Sequence, residues 1–412
     1  MNTIKRQKTV YFPKQLKNKV EHLAATTTQK NKFFHIIDLI ATKSRQEHSV
    51  DTEFVPLSRN YFIEVLGYRY TDITSSLLNA DIIISNNSYN VERHKCKEYK
   101  LNSKLYHTHK YDKIVFKYSV PKVWKDENVS KKIRNTESYH KEHRKTLESF
   151  ILDKDYLYTV ADKVLQDALN RPLPKRKAKT ERTMLTYITA KKYHLYANIE
   201  NICNKSSLYA ARSRNNYRLN NNFTNMSKDL RQAIFDANDF ISIDLKSSQY
   251  SILLKILKDN NVTGDDVDLF EHLIITGQLY EYICNNSSEY SRNDAKDFMM
   301  NVAFGRHYFI TERKKKFAEL FPTISKYLNT WKAKNGYKEV PLALQRIESD
   351  LFIDRIKTDL CTAGIVNTTC HDSVAVHVSN EDQAIDIMLK HFTDAGLQGK
   401  VKNENTSEII AI

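Results

Sequence analysis

The stretch 240–256, FISIDLKSSQYSILLKI, constrains the fold of this chain more than any other. Its first half alternates apolar and polar side chains as a half-buried strand does, and its second half sets Tyr250, Leu253, Leu254 and Leu257 at helical spacing. A strand therefore runs directly into a helix, with the carboxylate of Asp244 at the strand end. A side chain so placed projects from a rigid base, and ligand sites gather at strand ends in α/β folds. A second candidate strand, 364–378 (GIVNTTCHDSVAVHV), carries Asp372 in its middle, after a polar TTCH turn. Two carboxylates on neighbouring strands, with a basic helical segment between them in sequence, point to chemistry on a phosphate-rich substrate.

Size and charge bear on which substrate. A chain of 412 residues can bury a substantial core spread over two or three domains. With 41% hydrophobic and 27% charged residues it reads as a soluble globular protein rather than a disordered one. The 64 Lys and Arg against 49 Asp and Glu leave a formal charge of +15, which favours an acidic partner. With 24 Tyr and 18 Phe available for stacking, nucleic acid comes first and a membrane surface second. The cysteines, Cys96, Cys203, Cys284, Cys361 and Cys370, form no CxxC pair, which argues against structural zinc and a disulfide framework and fits a reducing compartment. No signal-like segment and no apolar run long enough to span a membrane is visible, so the expectation is a cytosolic protein without a membrane partner.

Residues 1–50 read as helices with polar joints, best seen in KNKFFHIIDLIA, 30–41. The block 56–101 has two short helical patterns, a turn-rich segment and an extended end, the order expected of a winged helix-turn-helix unit; an ordinary helical module is the other reading. YDKIVFKYSV, within 102–122, reads as a strand closed by Pro121. A charged helical region follows, and NRPLPKRKAKT, 170–180, reads as a basic linker or exposed loop. Over 171–231 fourteen basic residues stand against three acidic ones, a positive stripe that would track a phosphate backbone toward Asp244. The expected domains are therefore 1–122, 123–210 and 211–412.

Between the two aspartates lie an amphipathic helix with a glycine break, 267–285, and a helix running from near Arg292 to Gly305. On the latter Arg292, Lys296, Met300 and Phe304 recur every four residues and share one slanted face. Two cations followed by a flat apolar surface suit a nucleoside triphosphate, although both cations could simply solvate the helix start. Residues 311–332 are helical and broken at Pro322, and a helix over 341–358 offers Gln345 and Asp350 toward the cleft. A helix at 381–396 and a closing edge strand, SEIIAI, complete the chain.

Joining a nucleotide to a 3′ end requires a deprotonated hydroxyl and stabilisation of a crowded phosphorus centre. Two divalent ions held by aspartates on adjacent strands meet both needs. Asp244 and Asp372 are the expected ligands for two Mg2+ ions, with Mn2+ an alternative, because an oxygen-only set suits these hard cations. Arg292 and Lys296 would offset charge on the triphosphate, Lys296 counting with the aspartates as catalytic.

With these motifs in view, the chain resembles the family A DNA polymerases and the single-subunit, phage-type RNA polymerases over about 210–380. Asp244 in DLKSSQ resembles the first catalytic aspartate, and Gln249 stands where the DNA polymerases carry a glutamate that excludes the ribose 2′-hydroxyl. R-x3-K-x3-M-x3-F-G, Arg292 to Gly305, resembles the nucleotide-holding fingers helix. CHDS, 370–373, resembles the motif bearing the second aspartate, with His371 beside the primer end. LRQAIF, 230–235, and Gln345 with Asp350 are lesser matches, and Arg231, Arg218 and Gln345 are the implied primer and template contacts. The resemblance implies an α/β (α+β) right-hand polymerase: an antiparallel-sheet palm, helical fingers over about 260–340, a thumb-like region at 123–210 and a mainly helical N-terminal part. Its implied partners are a DNA template, a primer or nascent RNA or DNA strand, nucleoside triphosphates and other replication proteins. Gln249, Met300 and the serine after Asp372 tilt the expectation toward RNA or primer synthesis, while Phe304 replaces the usual tyrosine of the RNA polymerases. A DNA polymerase, a non-catalytic replication protein and an untemplated tailing enzyme are the competing functions.

Overall fold

The computed structural model describes residues 3–48, 54–57, 59–86, 97–105, 110–121, 136–172, 184–213, 215–288, 291–398, 400–403 and 409–411. They form a mixed α+β protein with several small antiparallel sheets, divided into two units. The first comprises residues 1–210 and 221–234, the second 211–220 and 235–412.

In the first unit, β1 (Thr3–Pro13) pairs antiparallel with β5 (Tyr111–Pro121) along its whole length, from Thr3↔Pro121 to Pro13↔Tyr111. This corrects the all-helical expectation for the first residues. TIKRQKTVYFP contains β-branched and aromatic residues and meets a partner of the same length and character, so pairing decides its state. Helices α1 (Lys14–Leu23) and α2 (Thr27–His48) follow, and α2 buries Phe33, Ile37 and Ile40 as the 30–41 pattern predicts. Next come β2 (Val55–Pro56), α3 (Arg59–Leu66), α4 (Tyr70–Asn79), β3 (Ile83–Ser85) and β4 (Glu98–Leu101), with the strands in the order β2-β4-β3. Phe62, Ile73, Leu77, Ile83 and Leu101 belong to one buried cluster with the inner face of α2. The charged region holds α5 (Thr136–Glu148), α6 (Lys154–Leu169) and α7 (Met184–Ile202). Asp153 caps α6 by accepting from the amides of Asp155 and Tyr156 at 3.0 Å each. Most of the basic stretch 170–180 lies outside the described residues.

A short hairpin, β6 (Ala210–Arg212) with β7 (Leu219–Asn221), and α8 (Lys228–Asp236) lead to β8 (Phe240–Leu245). The second unit continues with α9 (Ser248–Asp259), α10 (Asp265–Thr276), α11 (Leu279–Asn286), α12 (Arg292–Phe304), α13 (Glu312–Leu320), α14 (Pro322–Asn335) and α15 (Glu339–Ser349). A π-helical stretch, Asp350–Ile356, joins α15 to α16 (Lys357–Thr362); β9 (Asn367–Cys370), β10 (Ser373–His377), α17 (Glu381–Asp394), β11 (Lys400–Asn403) and β12 (Ile409–Ala411) complete it. The sheet runs β12-β11-β8-β10-β9, with every neighbouring pair antiparallel.

β8 is thus the central strand. Phe240, Ile241, Ser242 and Ile243 are all buried in succession, so the half-buried reading gives way to a strand covered on both faces. The strand expected over 364–378, with a TTCH turn before Asp372, is the β9–β10 hairpin; Thr368, Thr369 and Cys370 belong to β9, and the two-residue turn is His371–Asp372. His371 adopts φ 61°, a left-handed conformation that lets the chain reverse there and moves Asp372 from mid-strand to the turn. Helix boundaries in 248–335 follow the sequence signals closely. Gly277 (φ 69°) separates α10 from α11, the Ser291 hydroxyl caps α12 and Pro322 opens α14.

Candidate functional site

The register of β8 and β10 sets Ser373 opposite Asp244, and Asp372 precedes Ser373 in the turn. The two aspartates therefore lie at the same end of adjacent antiparallel strands, and the amide of Leu245 donates to the Asp372 carbonyl at 3.4 Å. Each is followed or preceded by a strained residue. Ser247, between β8 and α9, has φ 58°, and His371 has φ 61°. Two non-glycine residues in this region of backbone space, flanking two carboxylates, are a local concentration of strain of the kind functional sites retain.

A third carboxylate completes the group. Glu348, on α15, is 1% exposed, and its Oε1 accepts from the Ser248 hydroxyl at 3.1 Å. Its Oε2 accepts from Arg218 Nε at 3.0 Å and again from the end of the same guanidinium. The Gln249 amide nitrogen faces Glu348 Oε1 at 3.5 Å, the outer limit of a hydrogen bond. Sequence reasoning overlooked Glu348 and chose Asp350, which instead pairs with Arg355 at 2.8 Å on the surface. The missed signal was available: Val340, Leu344, Glu348 and Leu351 form one helical stripe, and a carboxylate on such a stripe must be buried with a partner.

Burial, then the negative charges of Glu348 and Asp244, push the Asp372 carboxyl up to about 7, while a backbone hydrogen bond and then Arg218 act in the opposite direction. Asp372 keeps some accessible surface, yet protein atoms and carboxylates crowd it enough for desolvation to lead. A divalent cation would reverse that strain by favouring the ionised forms. Asp244 and Asp372 are the oxygen donors that could hold one. Among the described residues no group of three or more His, Cys, Asp or Glu has metal-holding geometry, so water and substrate oxygens would fill the remaining positions.

On α12 the expected face exists. Arg292, Lys296 and Met300 are exposed and Phe304 is half-buried, while Ala295, Phe298, Met299 and Val302 fill the core side. Arg292 pairs with Glu281 of α11, and both cations lie over the ring of Tyr280, Arg292 at 5.1 Å and Lys296 at 5.8 Å. Tyr280 is itself 8% exposed, hydrogen-bonded to Ser247 and edge-on to Tyr250. It links the cationic helix to the strained turn after β8, a role the sequence reading did not assign.

The C-terminal end of α12 is held by lysines. Lys332, 1% exposed, donates to the carbonyls of Val302 at 2.5 Å and Gly305 at 3.1 Å; burial, then the charge of Lys314, lowers it to about 8. A side chain on Gly305 would strike the Asn301 carbonyl, so close approach rather than backbone freedom explains the glycine.

Of the other expected contacts, Arg218 is committed to Glu348 and Gln345 accepts from the Asn216 side chain at 3.0 Å. Arg231 belongs to the first unit, where it donates to the Phe223 carbonyl at 3.4 Å. His371 sits beside Asp372 in the turn.

No protein-family model matches the chain, and no curated protein is significantly similar to it. Among the described residues no helix is long and apolar enough to cross a membrane.

Proposed function

We propose that the protein is a DNA-templated nucleotidyltransferase that extends or initiates a strand from nucleoside triphosphates, with ribonucleotides the favoured substrate. One observation carries this reading: Asp244 on the central strand and Asp372 in the adjoining hairpin turn lie at one end of an antiparallel sheet. The cationic face of α12, tied through Tyr280 to the turn after β8, supports it. In this reading the sheet is the palm and α10–α14 are the fingers of a right-hand polymerase.

Asp244 and Asp372 bind Mg2+ or Mn2+, which when bound supplies charge stabilisation at the phosphorus and lowers the cost of deprotonating the attacking hydroxyl. Arg292 and Lys296 hold the triphosphate, Arg292 exchanging the Glu281 carboxylate for phosphate oxygens. Met300 and Phe304 pack against base or sugar, and Gln249 meets the sugar edge without the charge a glutamate would bring. The strand order β2-β4-β3 with α2, α3 and α4 supports a winged helix-turn-helix unit that docks on nucleic acid.

Primed and unprimed single-stranded DNA, each offered rNTPs or dNTPs with magnesium, tests the reading through product length and sugar content. Incorporation should fall at least about a thousandfold in Asp244→Asn and Asp372→Asn. Equal incorporation by these variants would refute it. Gln249→Glu should shift selection toward dNTPs.

A further inference from the structure

Exposed large apolar residues are scattered singly over most of this protein, which is ordinary for a folded surface. The loop between α12 and α13 departs from that pattern. Tyr308, Phe309 and Ile310 are 59%, 63% and 72% exposed, three in succession.

The loop backbone is firmly held. Lys314 Nζ donates to the carbonyl oxygens of Arg306 and, at 2.8 Å, Phe309, and the Phe309 amide donates to the Arg306 carbonyl at 3.1 Å. Lys332 holds Gly305 at one end, and at the other the Thr311 hydroxyl donates to the Asn301 side chain at 2.9 Å while capping α13. An exposed apolar segment with so many backbone anchors presents its side chains in a fixed arrangement, and a ligand that uses them meets little ordering cost.

Cations are interleaved with these rings. The Arg306 guanidinium lies over Tyr308 at 5.9 Å and over Tyr337, at the start of α15, at 5.3 Å, and Lys338 Nζ lies 5.9 Å from the Tyr337 ring. Tyr308 and Phe309 have centroids 6.1 Å apart with planes at 54°. Largely exposed rings beside positive charge match a ligand that alternates flat aromatic groups with anionic links, which is single-stranded nucleic acid. Duplex conceals its base faces. A lipid surface would use the apolar edges of Phe309 and Ile310 and leave the cluster of Arg306 with Tyr308 and Tyr337 without a role.

We propose that the 306–310 loop with Tyr337 is a stacking platform for single-stranded nucleic acid, Tyr308 and Phe309 taking bases and Arg306 a phosphate. The platform deepens the polymerase reading, on which it rests for its biological purpose, by assigning a path to the unpaired strand.

The test is fluorescence anisotropy of labelled single-stranded oligothymidylate with the full chain across a salt series. Tyr308→Ala and Phe309→Ala should each weaken binding by about tenfold without changing the salt slope, and Tyr308→Phe should retain most of the affinity. Arg306→Gln should lower the slope by about one. Thermal melting checks that each exposed-site variant is folded. Affinities within about twofold of wild type in both alanine variants would overturn the platform, as would loss of self-association or of anionic-vesicle binding with oligothymidylate affinity unchanged. Wild-type incorporation alongside unchanged affinities would reject the platform alone. Binding through the loop with no incorporation on any template would reject the polymerase reading alone.

Discussion

The core of the first unit around His35 and the carboxylate group of the second around Asp372 both contain a titratable side chain that burial drives toward neutrality. His35 lies nearly parallel to the Tyr118 ring at 4.8 Å, with neither ring nitrogen hydrogen-bonded among the described residues, and burial lowers it to about 4. It behaves as one more aromatic ring in an aromatic core. Around Asp372, by contrast, two further carboxylates add to the effect of burial, and a backbone hydrogen bond and the Arg218 guanidinium oppose it. Desolvation alone makes packing material of a polar group. Desolvation combined with assembled like charge makes a place that a cation would relieve, at the expense of stability without one.

The widest separation between the two regions should come from Asp372→Asn. With the loss of incorporation already described, this variant should gain about 1 kcal/mol of stability in denaturant melts without added metal, because a crowded carboxylate is removed. A loss of stability would show that the cluster is structural, as His35 is. Next in size, Glu348→Ala leaves Arg218 without its buried carboxylate and should cost about 3 kcal/mol, read from the denaturant midpoint. A near-neutral result would mean that the pair is not closed in solution.

The His35 side of the comparison is tested by pH. The unfolded chain takes up a proton near the ordinary histidine value of about 6.5, whereas folded His35 resists until about 4. Its contribution to stability is therefore unchanged above that ordinary value and grows unfavourable as pH falls, reaching about 3 kcal/mol near the lower value. His35→Phe should flatten this part of the stability profile, and an unchanged profile would contradict the assignment. The smallest effect concerns the exposed Arg292–Glu281 pair. Glu281→Gln should tighten triphosphate binding about threefold by freeing Arg292, measured by titration with a non-hydrolysable nucleotide.

Local signals were legible in the sequence and distant pairings were not. The run of α12 from its Ser291 cap to Gly305, the break at Pro322 and the apolar face of α9 depend on neighbours a few residues away. So does the turn from β8 into α9. The strand β1 was missed because its partner lies a hundred residues downstream, and Glu348 because Arg218 and Ser248 lie on other elements. Asp350, expected toward the cleft, pairs with Arg355, while Glu348 two residues earlier is the buried carboxylate. Two residues along a helix are about 200° apart, so one carboxylate lies on the core stripe and the other faces solvent. The polar TTCH segment was legible as a turn before Asp372, but the reversal falls on His371–Asp372, with Thr368, Thr369 and Cys370 in the strand, because the register with β10 and β8 is a distant pairing.

The two-residue turn at His371–Asp372 also works as a ruler. Cys370 pairs with Ser373, and Ser373 with Asp244, so the position of one carboxylate relative to the other is counted out in residues. Side chains in β9 and β10 could drift widely while that count held. One inserted residue would turn the second carboxylate toward the opposite face of the sheet. Variation in this protein should therefore be tolerated in spelling and forbidden in length, and relatives should be recognisable here by spacing when similarity has faded.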